Sequence, residues 1–305
     1  MTQRSLTTTA LLVIALATAS PLAAQLSADW MVAAAAHTAG VRGTFWSTDL
    51  SLHNPHEYEL PVIVQVLPSD SVNYDVVTWS LTLLPWETVN LWDALGPQGL
   101  AVNGTAALLA YADPGLACDP IEDCHLLVTS RTWTPAPGTS LGEFGLTVPG
   151  IGAERGGSWS TLSYAAGILN DGDAFRCNVG VASWSDGWTS VRMDVQDSLG
   201  NIIASEVFEV PPFGHTQRRL DTAVTGGSLV FYLESGPDTA LIFPYATVIN
   251  QETGDASFFY AEASPVGVTI AKRVDGRMQR PATPAPASAL REPSPADRAP
   301  ARPRR

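Results

Sequence analysis

The chain states one pattern twice, and that duplication limits its fold more than any bulk property does. The first copy covers residues 44–149 and the second 175–263. Each opens on an aromatic-led strand, runs through two alternating strands into a proline turn, and closes with a glycine-started apolar run and a Ser/Thr-containing strand. Side by side, Trp46 stands against Phe175, residues 48–52 (TDLSL) against 177–181 (CNVGV), and Pro85 with Asn90 against Pro212 with Gln217. Further on, 104–108 (GTAAL) fall against 227–231 (GSLVF), and 128–130 (VTS) against 245–247 (YAT). The offset drifts from about 129 to about 116, as loops of unequal length produce. A unit of about 100 residues can bury its own core, so repetition rather than length divides the 305 residues.

Within the copies the apolar period is that of strands. Val77, Trp79, Leu81 and Leu83 alternate with Thr78, Ser80 and Thr82, which predicts a half-buried strand with Trp79 in the core. Residues 62–67 (VIVQVL) are apolar on both faces, as a central strand is. In the second copy Val191, Met193 and Val195 alternate with Arg192, Asp194 and Gln196, and 198–201 (SLGN) supply a hairpin turn. No sustained 3.6-residue period interrupts residues 44–270. Six or seven short strands per copy, separated by Gly, Pro, Asn and Asp turns, predict an all-β chain of two tandem antiparallel β-sandwich domains of the immunoglobulin-like kind. The expected divisions are 25–150 and 151–271, with a linker at 150–157. Pro244, inside an apolar run, predicts an edge strand or a bulge.

The ends have other compositions. Arg4, the apolar run 10–17 (ALLVIALA) and the small residues to Ala24 form the pattern of a signal peptide over 1–24. The run is too short to span a bilayer, so no transmembrane segment is expected after its removal, and the expected address is secreted or periplasmic, cell surface included. Residues 272–305 hold nine Lys/Arg against three acidic residues, and 281–305 contain seven prolines, which predicts a disordered basic tail. Residues 1–271 hold 8 Arg against 27 Asp/Glu. That balance excludes nucleic acid as the globular part's partner.

An exported chain meets an oxidising compartment, so Cys118 and Cys124, flanking the acidic turn 119–123 (DPIED), are expected to form a disulfide. Cys177 is left over on a predicted strand, as a buried free thiol.

Candidate chemistry is sparse. The five histidines, His37, His53, His56, His125 and His215, scatter over loops and strand ends as surface groups, and no Gly-x-Ser-x-Gly elbow accompanies them. No zinc-spaced cluster occurs. Asp171 and Asp173 in 170–173 (NDGD) offer oxygen donors for calcium without completing an EF-hand loop. Trp184, Asp186 and Trp188, read as a hairpin tip with two indoles and a carboxylate, form the ligand-binding candidate, against the alternative that one ring packs on the core and the other covers the turn. Trp86 and Trp92 flank the proline turn and fit either role. Arg131 is expected to pair with Asp49 or another carboxylate across the sheet, and Asn103-Gly104-Thr105, though a glycosylation sequon, reads as a turn. No catalytic residue, metal or cofactor is assigned.

Residues 33–40 (AAAAHTAG) with 43–55 (GTFWSTDLSLHNP), and in the second copy 174–180 (AFRCNVG) with 248–255 (VINQETGD), resemble tandem immunoglobulin-like β-sandwich modules of uncharacterised secreted bacterial proteins over residues 30–265. In such modules threonine more often stands where this chain has Cys177. The resemblance implies fold and export, and assigns no site. The expectation is an exported non-catalytic protein acting in binding, adhesion or structural display at the envelope or outside the cell, on a protein or glycan partner. The alternatives are a carbohydrate-binding accessory module, a hydrolase of unrecognised type using loop carboxylates, and a filament or surface-layer subunit.

Overall fold

A computed structural model describes residues 27–40, 43–113, 124–136, 142–265, 273–274 and 277–278. The expected signal peptide lies outside them. So does most of the expected tail, within which Arg273–Val274 pairs with Arg277–Met278. The regular secondary structure of the described residues is β-strand apart from short 3-10 turns, and every ladder between the named strands is antiparallel.

The first copy contributes β1 (Asp29–Ala39), β2 (Phe45–His53), β3 (Leu60–Pro68), β4 (Thr78–Leu83), β5 (Thr88–Leu91), β6 (Gly104–Ala112), β7 (Leu127–Pro135) and β8 (Glu143–Pro149). One layer has the order β4-β3-β6-β1 and the other β5-β2-β7-β8, joined where the end of β1 pairs the start of β2. β9 (Ile151–Gly152) then returns to pair β1. The second copy contributes β10 (Thr161–Asn170), β11 (Phe175–Trp184), β12 (Thr189–Gln196), β13 (Ile202–Val210), β14 (His215–Arg219), β15 (Val224–Ser235), β16 (Leu241–Asn250) and β17 (Ala256–Tyr260), and β18 (Glu262–Pro265) returns to pair β10. Its layers are β13-β12-β15-β10 and β14-β11-β16-β17. Strand for strand, the topology repeats.

Finer marks of the repeat follow. Ser51 lies opposite Asn90 and Thr129, and Gly180 opposite Gln217 and Tyr245. Thr129 is therefore the counterpart of Tyr245, one residue from the sequence alignment, which set Val128 there. The residue after each turn proline, Trp86 and Phe213, has a left-handed backbone, φ 62° and 45°. Such a conformation is rare for a bulky side chain, and it recurs at the same place in both copies.

Each sandwich closes its own core. In the first, Val32, Val64 and Leu108 of one layer meet Leu50, Leu52 and Val128 of the other. In the second, Met193, Phe231 and Leu229 meet Val179, Val181 and Val248. A third apolar cluster joins the copies, with Met31, Leu67, Leu109 and Tyr111 packed against Trp184, Phe213, Phe243 and Tyr245. Strands apolar on both faces, β3 and β11 among them, are those with a core on one side and the joint on the other. The result is four stacked sheets.

Two expectations change. The segment 150–157 is no free linker, because β9 extends the first copy's sheet and Gly157 exchanges backbone hydrogen bonds with Ile242. Pro244 sits in a central strand, between β11 and β17, rather than at an edge or a bulge. Its carbonyl still accepts from Ala261, but the β16-β17 ladder begins only at Tyr245, so the missing N–H falls where β17 has left the sheet. Cys124 is buried and disulfide-bonded, while its expected partner Cys118 lies outside the described residues. Among the described residues Cys177 is the free thiol, fully buried, with its pKa pushed up to about 12 by burial.

Candidate functional site

The joint is incomplete, and its gap is the candidate site. Where large side chains meet, around Met31, Leu67 and Trp184, the two middle sheets touch. Farther along β1 the lining is Ala34, Ala36, Thr38 and, at the strand end, Ala39, side chains too short to fill the space between sheets, and a cleft of about 450 Å3 opens there. Trp46, Thr105 and Thr132 wall it from the first copy, and Arg176, Gln217 and Thr247 from the second. An adjoining hollow of about 340 Å3 shares Trp46 and Arg176 and runs along Phe144 to the turn at residues 250–254. The lining is mainly apolar with a few hydroxyls and amides, and Arg176 is the only charged residue in the deeper part. A pocket of that size and character between two domains is the usual form of a small-ligand site.

Beside the cleft a hydrogen-bond chain crosses the joint. Ser69 Oγ lies 2.7 Å from Thr105 Oγ1 and 2.6 Å from His215 Nδ1. His215 Nε2 lies 2.7 Å from the Tyr245 hydroxyl, which donates to Gln217 Oε1 at 2.6 Å. Ser69 Oγ also lies 2.7 Å from the Thr105 carbonyl, which competes for its one proton; with the imidazole proton on Nε2 and the Ser69 proton turned to Nδ1, the chain closes without charge. Burial accordingly pulls the His215 pKa down to about 4, against a smaller opposing pull from Asp70, and pushes that of Tyr245 up. The expectation of a solvated loop histidine is corrected: His215 is fully buried at the start of β14. Its sequence neighbours gave no sign of this, because the groups that meet its ring are distant in sequence, Ser69 of the other copy and Tyr245 of β16.

A serine beside a histidine invites a hydrolytic reading, which the geometry does not favour. Both ring nitrogens are engaged, the second by a phenol rather than a carboxylate, and neither Ser69 nor His215 lines the cleft. The other histidines hold local contacts: His37 Nδ1 sits 2.9 Å from Asp93, His53 bonds Thr88, and His56 stacks on Tyr58 and donates to the His125 carbonyl. Among the described residues no group of three His, Cys, Asp or Glu is placed to hold a metal.

The ligand candidate predicted from sequence separates. Trp184 is 3 % exposed and packs in the joint, whereas Trp188 is 57 % exposed and Asp186 faces solvent. The segment 185–188 is no hairpin tip, since β11 and β12 belong to opposite layers and the segment crosses between them. Asp186 contributes its backbone, whose carbonyl accepts from the Tyr74 hydroxyl at 2.7 Å. Asp171 uses one carboxylate oxygen to cap its own turn, accepting from the N–H groups of Asp173 and Phe175, and those bonds hold its pKa below the usual range. Arg131 pairs with Glu143 at 2.7 Å, the cross-strand carboxylate expected of it. Compared with known proteins, the chain matches no family model and, at a significant level, no curated protein.

Proposed function

We propose that this is an exported, non-catalytic β-sandwich protein that binds a small, largely apolar ligand in the cleft between its two copies. The observation that carries this reading is the cleft itself, walled by both copies and rimmed by a polar chain that fixes their spacing. The lining is mainly apolar with hydroxyls, amides and one guanidinium, so a ligand with an apolar body and one carboxylate or carbonyl fits best. The signal-like segment at the N-terminus supports export. Pairing of Cys118 with Cys124 belongs to the same reading, and an intact mass two hydrogens below the reduced value would check it.

We also propose that the copies are immunoglobulin-like. In support, β1-β6-β3 and β2-β7-β8 follow the B-E-D and C-F-G orders of such a sandwich, with β9 taking the place of strand A from the other end of the copy. The outward sheet faces speak against a head-to-tail filament. They carry Ser51 and the Arg131–Glu143 pair at one end of the stack and Arg192, Asp194 and Glu234 at the other, where Ile202 and Val207 are the exposed apolar neighbours rather than a continuous apolar face.

The test is a thermal-shift screen of aliphatic and aromatic carboxylic acids on the mature chain, repeated on Ala39→Trp, which fills the cleft from its mouth. A ligand that stabilises the native chain and not the variant is the expected result. Absence of any stabilising acid, or equal stabilisation of both proteins, defeats the reading.

A further inference from the structure

A second groove, remote from the joint, lies at the lateral mouth of the first sandwich. It occupies about 490 Å3 between the edge strands β4 and β5 and the turn that follows β5, and its lining includes Val77, Thr78, Trp79, Asn90, Trp92 and Gln98. The same mouth in the second copy is shut. There Arg218 of β14 reaches across to Glu206 of β13 at 3.0 Å and lies over the Phe208 ring, 3.9 Å from its centroid. Asn90 and Gln217 hold the same register position, so the residue standing where Arg218 stands is Leu91, which cannot make that bridge.

What lines the open mouth has a defined chemistry. Trp92 is 72 % exposed, an indole left in water with no burial to justify it. Trp79 was expected in the core. It does lean on the core with part of its ring, yet it is only half buried and forms a wall of the groove. The polar lining is neutral throughout. Asn90 accepts from Ser51 Oγ at 2.6 Å, which occupies its carbonyl oxygen and leaves its amide hydrogens as the donors it can offer. Gln98 adds an amide and Thr78 a hydroxyl that donates to the Val76 carbonyl and can still accept, and no ionisable side chain lines the groove although the chain is strongly acidic.

We propose that this groove binds a neutral saccharide chain. A pyranose ring presents C–H faces to an indole and hydroxyls to amides, and it needs no charged partner. The groove is open along the sandwich edge, so it suits an internal stretch of a polymer rather than an enclosed monosaccharide. This site stands apart from the cleft between the copies and does not rest on the reading of that cleft.

The test titrates the mature chain with cellohexaose, xylohexaose, laminarihexaose and maltohexaose, and with oligogalacturonate as the charged arm, by tryptophan emission and calorimetry. At least one neutral hexasaccharide should bind saturably, and Trp92→Ala should weaken it by about tenfold or more, the scale of one lost stacking contact. Because Trp92 is exposed, that variant should melt with the native chain, and Ala39→Trp and Trp188→Ala should bind as the native chain does. The proposal is overturned if no neutral hexasaccharide binds, if only the charged oligomer binds, if the groove takes apolar peptides instead, or if binding survives Trp92→Ala.

Discussion

In the first sandwich the layer β4-β3-β6-β1 turns its outer face to the joint, whereas in the second the opposite layer, β14-β11-β16-β17, does so. The strand order is the same in both, so topology does not choose the docking face. Side chains at matched positions do. Ser51, Thr129 and Thr147 of the first copy correspond in register to Gly180, Tyr245 and Phe258 of the second. Gly180 is required there because any Cβ at that position would collide with the Tyr245 ring. A few polar-to-apolar exchanges on one face turn a solvated sheet into a buried one, and duplication supplied a partner face to receive it.

The sharpest way to break this comparison is to remove apolar volume from the joint alone. Phe243 is fully buried there and belongs to neither sandwich core. Phe243→Ala should cost about 3–5 kcal/mol, and calorimetry should then resolve two transitions where the native chain shows one. A single unshifted transition would mean that the copies do not stabilise each other through this face.

Next in size is the pH dependence of the joint, which rests on His215, a residue whose counterpart in the first sandwich is Thr88. His215 has a folded pKa of about 4 against an ordinary value of 6.5, so between those limits the unfolded chain binds the extra proton. Stability from this group is therefore complete above pH 6.5, is lost as pH falls towards 4, and amounts to about 3 kcal/mol. Asp171 and Asp197, lowered by hydrogen bonds in exposed turns, act with the same sign at lower pH. Urea unfolding at pH 7 and pH 4.5 should show the loss, and His215→Gln, weaker at pH 7, should flatten that interval. An unchanged slope in the variant would place the pH dependence elsewhere.

These contrasts explain what could be read in the sequence. Alternation around Val77–Leu83 and Val191–Val195 reports which side chains face a core, because that depends on neighbours within one sheet, and so the strands and the repeat were legible. The joint was not. Trp184 and His215 sit beside turn residues and look like surface groups until the other copy is laid over them. The two-faced apolar run at 62–67 did carry the signal, since only a strand covered on both sides is apolar on both, but it does not say what covers it. The open groove was hidden for the opposite reason. Trp79 lies on an apolar strand face, and only the missing bridge opposite Leu91 leaves it partly in water.

A smaller effect tests the two mouths. Arg218→Ala removes a half-exposed ion pair and the cation–π contact over Phe208. The expected cost is about 1 kcal/mol, the sum of two contacts each weak at a surface. Chemical denaturation reads it directly, and a loss several times larger would show that the closed mouth is a main support of the second sandwich rather than a plug in it.

The smallest expected change concerns the loop that crosses between layers at 185–188. Tyr74 reaches across the joint to the Asp186 backbone carbonyl, not to its carboxylate, and Trp188 stands largely in water. Asp186→Ala and Trp188→Ala should each leave stability within about 0.5 kcal/mol of the native chain. Tyr74→Phe deletes the bond that the loop does make, and should cost about 1 kcal/mol. Measured by urea unfolding, that ordering identifies the loop as a strut between the copies. If instead Asp186→Ala proved the most damaging of the three, the carboxylate would be holding something that the backbone contact does not explain.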